Sequence, residues 1–362
     1  MDLKKYGKFY FTIIMITLLG SFSNEIIAQE YPYGYRSSLL LGRGDTGIAD
    51  VDNEDAIFYN PGAVAFGNGI YKKTVPFSVG LQVSNSTKDT ITKVSLQEEE
   101  TTDALRDTIG VPQHIGFNVF SGIILKRAAI GAYGTSTTNI LVAKDPTEGA
   151  IEKASIKSVS SGGLAFSFAQ DFYGNQAVGV TTRFVNKFEA NAEFIATDAE
   201  QTNNSLPASG SGFAIDVGYL FKHKGPTNFN LGLTIQDFMG TSYEVTQTGS
   251  SGTLADDPMK INIGFMLEKV ARLSSFKFLM DYRDISNATD MTMVKRLHIG
   301  SEISIDGYLG FTVGLNQGYP TVGAYADIRL LRIDAGVYSE EMGERAGERP
   351  DKRVFIRVMM GI

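Results

Sequence analysis

Apolar and polar side chains alternate with a period of two along most of the chain, from about residue 76 to the end. In the stretch 228–236, for example, Phe229, Leu231, Leu233 and Ile235 are separated by polar residues or glycine. Successive side chains of a strand point to opposite faces, so this alternation predicts two-faced strands rather than helices. The predicted strands are 76–85, 113–126, 128–143, 156–170, 176–196, 209–222, 228–240, 258–267, 275–284, 295–305, 308–317, 321–330, 332–339 and 352–362.

The connections between these strands alternate between long and short. The long ones are 86–112, 144–155, 197–208, 241–257, 285–294 and 340–351, and the short ones are Arg127, 171–175, 223–227, 268–274, Asp306-Gly307 and a break near Leu331. Outer-membrane barrels have short periplasmic turns and long extracellular loops, whereas a soluble sandwich or propeller has no reason to sort its loops in this way. The connection 318–320 alone is short where a long loop is expected. We therefore predict an all-β protein: a single antiparallel transmembrane β-barrel of about fourteen strands over residues 76–362, with both termini periplasmic.

The first residues are typical of a secretory signal peptide. Lys4, Lys5 and Lys8 form a basic segment, an apolar run covers 9–19, and Ala28 suits the position before a signal-peptidase cleavage. The apolar run is short for a mature membrane-spanning helix, and an uncleaved N-terminal anchor is the alternative. We expect residues 1–28 to be a signal peptide that directs the chain to the outer membrane of a Gram-negative-type cell.

Composition narrows the possible functions. The chain has 33 basic and 40 acidic residues, a net charge of −7, which argues against nucleic acid as a partner. It has no cysteine, which excludes disulfides, thiol chemistry and a lipoprotein anchor. Its three histidines, His114, His223 and His298, belong to no nucleophile motif. We expect the protein to be no enzyme, and to use neither a metal nor a cofactor.

If the apolar face of each strand is turned outward, the opposite face lines the lumen and carries many charges. They are Glu268, Lys277, Asp281, Arg283, His298, Glu302, Asp327, Arg329, Arg332, Asp334 and Arg357. Since both signs are mixed, these side chains can pair with one another or with a plug, which favours a braced and filled interior. A water-filled ion channel is also polar inside and is the alternative. Phe166 and Phe168 alternate with small residues and are expected to face lipid.

Residues 29–75 lack the alternation and are predicted to form a hatch, or plug, inside the barrel. A turn rich in small residues is followed by an acidic stretch and by a rigid Asn-Pro-Gly turn that breaks any helix or strand. The candidate residues of this hatch are Gly42, Gly44, Gly47, Asp52, Asp55, Tyr59, Asn60, Pro61 and Gly62. The Arg-Gly-Asp triplet within this stretch is too short to indicate integrin adhesion, and no βαβ unit follows to make a dinucleotide site.

The segment LGRGDTGIADVDNEDAIFYNPGAVA (41–65) resembles the N-terminal hatch motif of the FadL family of outer-membrane barrels, the long-chain fatty-acid and hydrocarbon transporters. It is also similar to their relatives of the PorV and conjugal TraF-like type, which FKFLMDYRDI (276–285) and GFTVGLNQGYPTVGAYADI (310–328) resemble more. The resemblance implies a fourteen-stranded barrel with an N-terminal hatch. The usual Asn-Pro-Ala turn of the motif is Asn60-Pro61-Gly62 here, which we expect to keep the turn and to loosen it.

The resemblance implies two alternative functions. In the transporter branch an apolar molecule passes the hatch by diffusion, so the first hypothesis is passive uptake of hydrophobic molecules across the outer membrane, without a cofactor. In the PorV-like branch the barrel does not conduct and serves as a scaffold or shuttle for a secretion or surface-assembly system, which a filled and charged lumen also fits. The expected partners are outer-membrane lipid and either a hydrophobic small molecule or a secretion-system protein.

Overall fold

A computed structural model describes residues 30, 34–51, 53–66, 71–95, 108–144, 152–195, 201–248, 254–328, 330–343 and 345–361. The predicted signal peptide, and the candidate residues Asp52 and Arg329, lie outside the described residues. Within the described ranges, no helix is long and apolar enough to cross a membrane.

The strands form one closed antiparallel ring. They are β1 (Tyr71–Ser84), β2 (Gln113–Leu125), β3 (Ala128–Lys144), β4 (Glu152–Phe172), β5 (Gln176–Ile195), β6 (Gln201–His223), β7 (Asn228–Gln236), β8 (Tyr243–Thr248), β9 (Lys260–Val270), β10 (Ser274–Tyr282), β11 (Leu297–Ile305), β12 (Leu309–Asn316), β13 (Tyr319–Asp327), β14 (Leu331–Glu341) and β15 (Pro350–Met360). β1 pairs with β15 and β5 with β6, so the sheet closes on itself. β7 and β8 lie beside different parts of β6 and share one place in the ring. The predicted fourteen-stranded barrel is therefore confirmed.

Short helices accompany the strands. They are α1 (Ser38–Leu41), α2 (Ala56–Tyr59), the 3-10 helix η1 (Pro61–Ala65), α3 (Asn85–Ser95) and α4 (Met293–Arg296). The first three belong to the segment that precedes β1. α3 occupies the beginning of the connection 86–112, which the alternation predicted to be a polar loop.

The two ends of the barrel differ in their connections. We call the end that carries the short connections after β2, β4, β6, β9, β11 and β13 the turn end, and the opposite end the loop end. At the turn end Asp306 and Gly307 have φ angles of 50° and 74°, the left-handed pair that a two-residue hairpin requires. β1 begins at Tyr71, before the predicted boundary at 76, so the described hatch ends earlier, at Phe66.

The strands differ in length around the ring. β4, β5 and β6 have 21, 20 and 23 residues, whereas β11, β12 and β13 have 9, 8 and 9. With a rise of about 3.3 Å per residue and a tilt near 40°, nine residues span about 23 Å, close to the height of the apolar band of an outer-membrane barrel. β4, β5 and β6 therefore extend beyond β11–β13 at the loop end, and we call these three long strands the tall wall.

The outward and inward faces of these strands differ in the way that the alternation predicted. Phe166 and Phe168 are 48% and 61% exposed on the outside of β4, while Ala165 and Ala169 on the inside are fully buried. Outward apolar side chains are exposed on other strands around the ring as well. A belt of this kind is stable only when lipid covers it.

We predict that Phe166→Arg prevents stable insertion into lipid, because a cation in the middle of the lipid-facing belt costs about 2–4 kcal/mol. The matched control is Tyr173→Arg, in the turn after β4, where the side chain is 95% exposed. The measurement is the fraction of protein that refolds into lipid vesicles, read from the heat-modifiable band on a gel. Equal refolding of the two variants would contradict a lipid-facing belt.

Candidate functional site: the hatch inside the barrel

The hatch crosses the lumen as short helical turns whose ends are set by local sequence. Ser37 caps α1 by accepting a hydrogen bond from the backbone NH of Leu39 at 3.3 Å. Asn60 ends α2 and caps η1, since its side-chain oxygen accepts from the backbone NH of Gly62 at 3.0 Å. Pro61 occupies the first position of η1, where a missing NH costs nothing. The Asn-Pro-Gly sequence thus ends one helix and starts the next.

The Asn60 amide also joins separate parts of the hatch to the barrel wall. Its nitrogen donates to the backbone oxygen of Ile48 at 2.7 Å and to that of Tyr219 in β6 at 3.1 Å. A buried amide with both its donors and its acceptor used fixes its surroundings in one arrangement. Asn60 therefore sets the distance between the small-residue turn, η1 and β6.

Pairs of glycines on neighbouring strands form a groove in which the hatch backbone lies. The pairs are Gly179–Gly218, Gly232–Gly264 and Gly300–Gly314, and we call them the glycine belt. A Cβ on Gly300 would lie 2.2 Å from the backbone oxygen of Arg43, and one on Gly232 would lie 2.3 Å from that of Ile48. These distances are far below van der Waals contact, so a side chain at either position would push the hatch away from the wall.

The predicted hatch glycines approach the wall in the same way. Gly44 has a φ of 71°, and a Cβ there would lie 2.3 Å from the backbone oxygen of Ile299 in β11. A Cβ on Gly62 would lie 3.0 Å from backbone oxygens of both β5 and β6. Gly42 and Gly47 are buried as well. Gly62 thus permits a close contact with the wall, and that it also loosens the turn stays a prediction.

Asp45 is the centre of a charged cluster near the loop end. Arg36 Nε and Arg283 Nη1 lie 2.9 and 3.0 Å from its carboxylate, and the Tyr59 hydroxyl donates to it at 2.8 Å. Burial alone would raise the pKa of Asp45, but the guanidinium groups of Arg283 and Arg36 lower it to about 2. Arg36 continues the cluster to Glu340 of β14, at 2.8 Å. This cluster ties the hatch to β10 and β14.

A second set of ion pairs lies along β10 and β11. Arg43 Nη1 is 2.7 Å from Glu302 and 3.0 Å from Asp50, and Asp50 in turn is 2.8 Å from Lys277. The hatch residues Arg43 and Asp50 thus alternate in sign with the wall residues Glu302 and Lys277. Each of these four charges therefore has an opposite charge within 3.0 Å.

Near the turn end, three carboxylates share the guanidinium of Arg357. Its nitrogens lie 3.0 Å from Glu54, 2.9 Å from Asp334 and 4.0 Å from Asp55. Ser37 donates to Asp55 at 2.8 Å. Asp55 is the most distant from the cation and is next to Glu54, so burial and the charge of Glu54 together raise the pKa of Asp55 to about 7.

Two further candidate residues bind the hatch backbone instead of its side chains. Asp281 in β10 accepts hydrogen bonds from the backbone NH groups of Gly47 at 2.7 Å and Ile48 at 3.0 Å. His298 in β11 lies with Nδ1 2.9 Å from the backbone oxygen of Gly44. Both side chains are fully buried. They satisfy backbone groups of a turn that has no neighbouring strand of its own.

The other predicted lumen residues contact the wall in the described structure. Glu268 accepts a hydrogen bond from Asn228 at 3.0 Å. Arg332 lies 3.6 Å from Asp327 and 3.0 Å from Asp334, close to the turn end. Among the described residues, no group of three or more His, Asp or Glu side chains is arranged to hold a metal ion.

Glu30, the first described residue, lies near the loop end. Arg353 and Asn139 donate to it at 2.6 and 2.9 Å. The hatch therefore descends from the loop end to β1, while the barrel itself begins and ends at the turn end, at Tyr71 and Met360. That the turn end faces the periplasm stays a prediction.

Several buried partners of the hatch were not among the candidate residues. In the wall they are Glu340 and Arg353, and in the hatch they are Arg36, Asp45 and Glu54. The alternation along the strands could have identified the two wall residues as inward-facing. Glu340 lies on the same face of β14 as Asp334, and Arg353 lies on the same face of β15 as Arg357. Glu340 lies in the predicted loop 340–351, whereas Arg353 lies in the predicted strand 352–362. The hatch partners carry no such signal, since that segment does not alternate.

The opposite side of the hatch is apolar. Phe58, Val64 and Ala63 pack in one buried cluster with Phe120 and Ile124 of β2. The same cluster takes in small or apolar inward residues of β1 and β3–β6, among them Val75, Ala129, Ala165, Ala169, Ala177 and Leu220. The hatch therefore makes different contacts on its two sides. In the described structure, its ion pairs with Lys and Arg or with carboxylates of the wall all reach the side formed by β10–β15 and the start of β1.

We predict that Gly300→Ala displaces the hatch, because the new Cβ would meet the backbone of Arg43. The expected cost is about 1–3 kcal/mol of stability, with increased leakage of large antibiotics through the barrel. Thermal shift of the heat-modifiable band and vancomycin sensitivity of cells measure the two effects. Gly134→Ala is the control, since that Cβ would point outward, 3.1 Å from a Val119 methyl. Equal sensitivity of both variants would contradict the glycine belt.

We predict that Asp55→Asn removes a pH dependence of stability. A carboxyl whose folded pKa is raised from 3.8 to about 7 stabilises the fold below pH 4 and loses that contribution as the pH rises to about 7. The neutral amide still accepts from Ser37, so the variant should be more stable than the wild type by roughly 1–4 kcal/mol at pH 8 and similar at pH 4.

Asp45→Asn is the contrasting variant for this experiment, because the pKa of Asp45 is lowered rather than raised. Removing this carboxylate leaves two buried guanidinium groups with fewer partners, and we expect a loss of about 3–5 kcal/mol at neutral pH. Unfolding in denaturant at pH 4 and pH 8 measures both variants. Parallel pH profiles for Asp55→Asn and the wild type would show that Asp55 does not titrate in this range.

The comparisons with known proteins agree with this architecture. No family model and no curated protein matches the chain. Among solved structures, the chain is similar to the toluene transporter TbuX of Ralstonia pickettii, at 12% identity and a TM-score of 0.50, over 89% of this chain and 97% of that one. It is also similar to the deltaS2S3 mutant of the monoaromatic hydrocarbon channel TodX, at 11% identity and a TM-score of 0.51, over 91% of this chain and 98% of that one. A third similar structure is the monoaromatic hydrocarbon channel CymD, at 9% identity and a TM-score of 0.51, over 89% of this chain and 96% of that one.

At these identities the comparisons establish the fold. The neighbours are transporters of the FadL family, so the resemblance that the hatch motif suggested is confirmed at the level of architecture. The chain shares the fourteen-stranded barrel fold of these channels.

Proposed function

We propose that the protein is an outer-membrane conduit for the passive uptake of small hydrophobic molecules, which pass on the apolar side of the hatch. In this proposal residues 1–28 are a signal peptide, the turn end faces the periplasm, and the chain performs no catalytic step. The observation that carries the proposal is the division of the contacts of the hatch, which makes ion pairs with β10–β15 on one side and a mainly apolar cluster with β2–β6 on the other. The names of TbuX, TodX and CymD, a toluene transporter and two monoaromatic hydrocarbon channels, support it.

The hatch is held more strongly by its ion pairs on one side than by its apolar contacts on the other, and this difference determines where a solute can pass. Separating a buried ion pair costs about 3–5 kcal/mol, and several such pairs hold the hatch to β10–β15. Apolar contact is worth only about 25 cal/mol per Å², and an apolar solute that enters the contact replaces most of what is lost. The hatch therefore stays with the charged side while a solute passes along β2–β6.

Small side chains on the inside of the wall suit this route. Ala129, Ala165, Ala169 and Ala177 line β3, β4 and β5 opposite the hatch. These alanines offer a solute one apolar contact after another. Ser167 and Thr181 lie on the same inward faces, and Thr181 donates to the backbone oxygen of Ile57 at 2.9 Å. We infer that this surface is the lower part of the passage.

The ion pairs also favour an alternative, a non-conducting barrel. A hatch braced to the wall by several buried pairs suits a scaffold or shuttle for a secretion or surface-assembly system, as in the PorV-like branch. In that case the loop end docks on a partner protein and the apolar side of the hatch is merely core. Deletion of the gene would then leave hydrocarbon uptake unchanged, and the protein would co-purify with a stoichiometric secretion partner.

We predict that Phe58→Ala increases the uptake of toluene into cells. Phe58 is a large hatch side chain in the apolar cluster, and its removal leaves a gap beside Tyr35 and Tyr133. Uptake of labelled toluene is compared in a deletion strain that carries the wild type, the variant or no copy. The proposal requires the wild type to exceed the empty strain and Phe58→Ala to exceed the wild type.

Leu41→Ala is the matched control. Leu41 is equally buried but packs on the charged side, against Tyr338 and Phe355. Both variants remove a large buried side chain and lose about 2–5 kcal/mol, so they loosen the protein to a similar degree. An equal rise in uptake for the two variants would indicate general leakage, and no rise for Phe58→Ala would place the route elsewhere.

A further inference from the structure

A buried aromatic cage lies where the hatch meets β2 and β3. Phe58 stacks on Tyr35 with ring centroids 4.1 Å apart, and it meets Tyr133 and Phe120 edge-on at 5.0 and 6.0 Å. Tyr35 and Tyr133 also meet edge-on, at 6.2 Å. We call these four side chains the aromatic cage. The cage thus combines one stacked pair with several edge-on contacts, the two arrangements that aromatic rings prefer.

Polar atoms around this cage have hydrogen-bonding capacity that the described residues do not use. They are the hydroxyls of Tyr35 and Tyr133, the hydroxyl of Ser78 in β1 and the side-chain oxygen of Asn118 in β2. Their residues are only 8%, 6%, 1% and 2% exposed. Buried polar atoms in proteins are nearly always paired, and an unpaired one is costly. Four of them around one apolar cluster are not explained by packing.

Arg183 does not account for the free Tyr133 hydroxyl. This arginine lies close to the hydroxyl. Its guanidinium, however, donates to Asp216 at 2.7 Å and to Asp237 at 2.9 Å. The guanidinium approaches the Tyr133 hydroxyl closely enough to interact with it, but the two make no hydrogen bond of normal geometry. Tyr133 is thus available to another partner.

Tyr133 also lines a cavity of about 520 Å³ that opens widely to its surroundings beside the tall wall. Serine hydroxyls and glycine backbone form much of its lining, including Ser161, Gly163 and Gly210. The lining cation Lys187 is already paired with Asp257 at 2.9 Å. The volume is in the range of small-molecule sites, and the lining attracts neither anions nor large apolar groups.

We propose that the cavity and the aromatic cage bind small uncharged aromatic molecules that carry a hydroxyl group, in preference to plain hydrocarbons. This inference rests on the proposed function, because it names the class of molecule that would take the apolar route. The rings of the cage contact the ring of the solute, and the free oxygens of Tyr35, Tyr133, Ser78 and Asn118 exchange hydrogen bonds with its hydroxyl. Sites with buried polar groups reject an analogue that lacks the matching group, since those groups then stay unpaired.

The test compares p-cresol with toluene, which differ by one hydroxyl. Binding to the purified full chain in detergent is measured by titration calorimetry for the wild type, Tyr133→Phe and Tyr35→Phe. Each variant keeps the ring and loses the hydroxyl. Tyr173→Phe, in an exposed turn at the other end of the barrel, is the control. We expect p-cresol to bind at least about tenfold more tightly than toluene, and the two cage variants to reduce this preference without changing toluene affinity.

Equal affinity of the wild type for the two compounds, or an unchanged preference in both cage variants, would overturn the inference. The heat-modifiable band shows that each variant is folded, so loss of binding through unfolding is recognised directly. Toluene uptake in the deletion strain separates this inference from the proposed function. If toluene uptake depends on the protein but p-cresol binds no more tightly than toluene, this inference is refuted and the proposed function stands. A preference for p-cresol together with normal uptake in the empty strain refutes the conduit and supports the site.

Discussion

Charged side chains that are buried inside a narrow lumen must be matched, and this requirement determines where the hatch sits. Asp45, Asp50 and Glu54 are each within 3.0 Å of a cation, and those cations come from β10, from the residues just after it, or from β15. An unmatched charge at any of these places would cost several kcal/mol. The hatch is therefore placed by its acids against one side of the barrel. Its apolar residues face the other side as a consequence.

The ion pairs are possible only because the hatch backbone comes very close to the wall. At Gly232 and Gly300 the hatch carbonyl oxygens occupy the space of a side chain. Asp281 and His298 meet the backbone at the same level, so polar groups of the turn are satisfied where the belt brings them near. Shape and charge thus support each other: the belt brings the hatch to the wall, and the ion pairs keep it in register there.

The sequence predicts the barrel much more clearly than it predicts the contacts of the hatch. A period of two is a local property, so the alternation in β7 or β12 can be read without knowing the neighbouring strands. The same parity assigns Lys277, Asp281 and Glu302 to the inside, where they meet the hatch. Their partners are more than two hundred residues away in the chain and lie in a segment without periodicity. Neither the pairing of Arg43 with Glu302 nor the role of Gly62 can be derived from spacing, because both depend on how the chain folds back into the lumen.

The division of the lumen also constrains what can be recognised on the apolar side. The buried cluster between the hatch and that side consists of alanine, aliphatic and aromatic side chains, whose carbon surfaces distinguish one apolar molecule from another by little beyond size. Tyr133 and Asn118 add polar atoms to it, at the level where the cavity of the tall wall meets the hatch. Tyr133 contacts both the cavity and Phe58, so a molecule that enters the cavity meets the side chain against which the hatch is packed. Binding of a molecule in the cavity is therefore coupled to the position of the hatch through the contact between Tyr133 and Phe58. The ion pairs on the other side hold the hatch whether or not a molecule is bound.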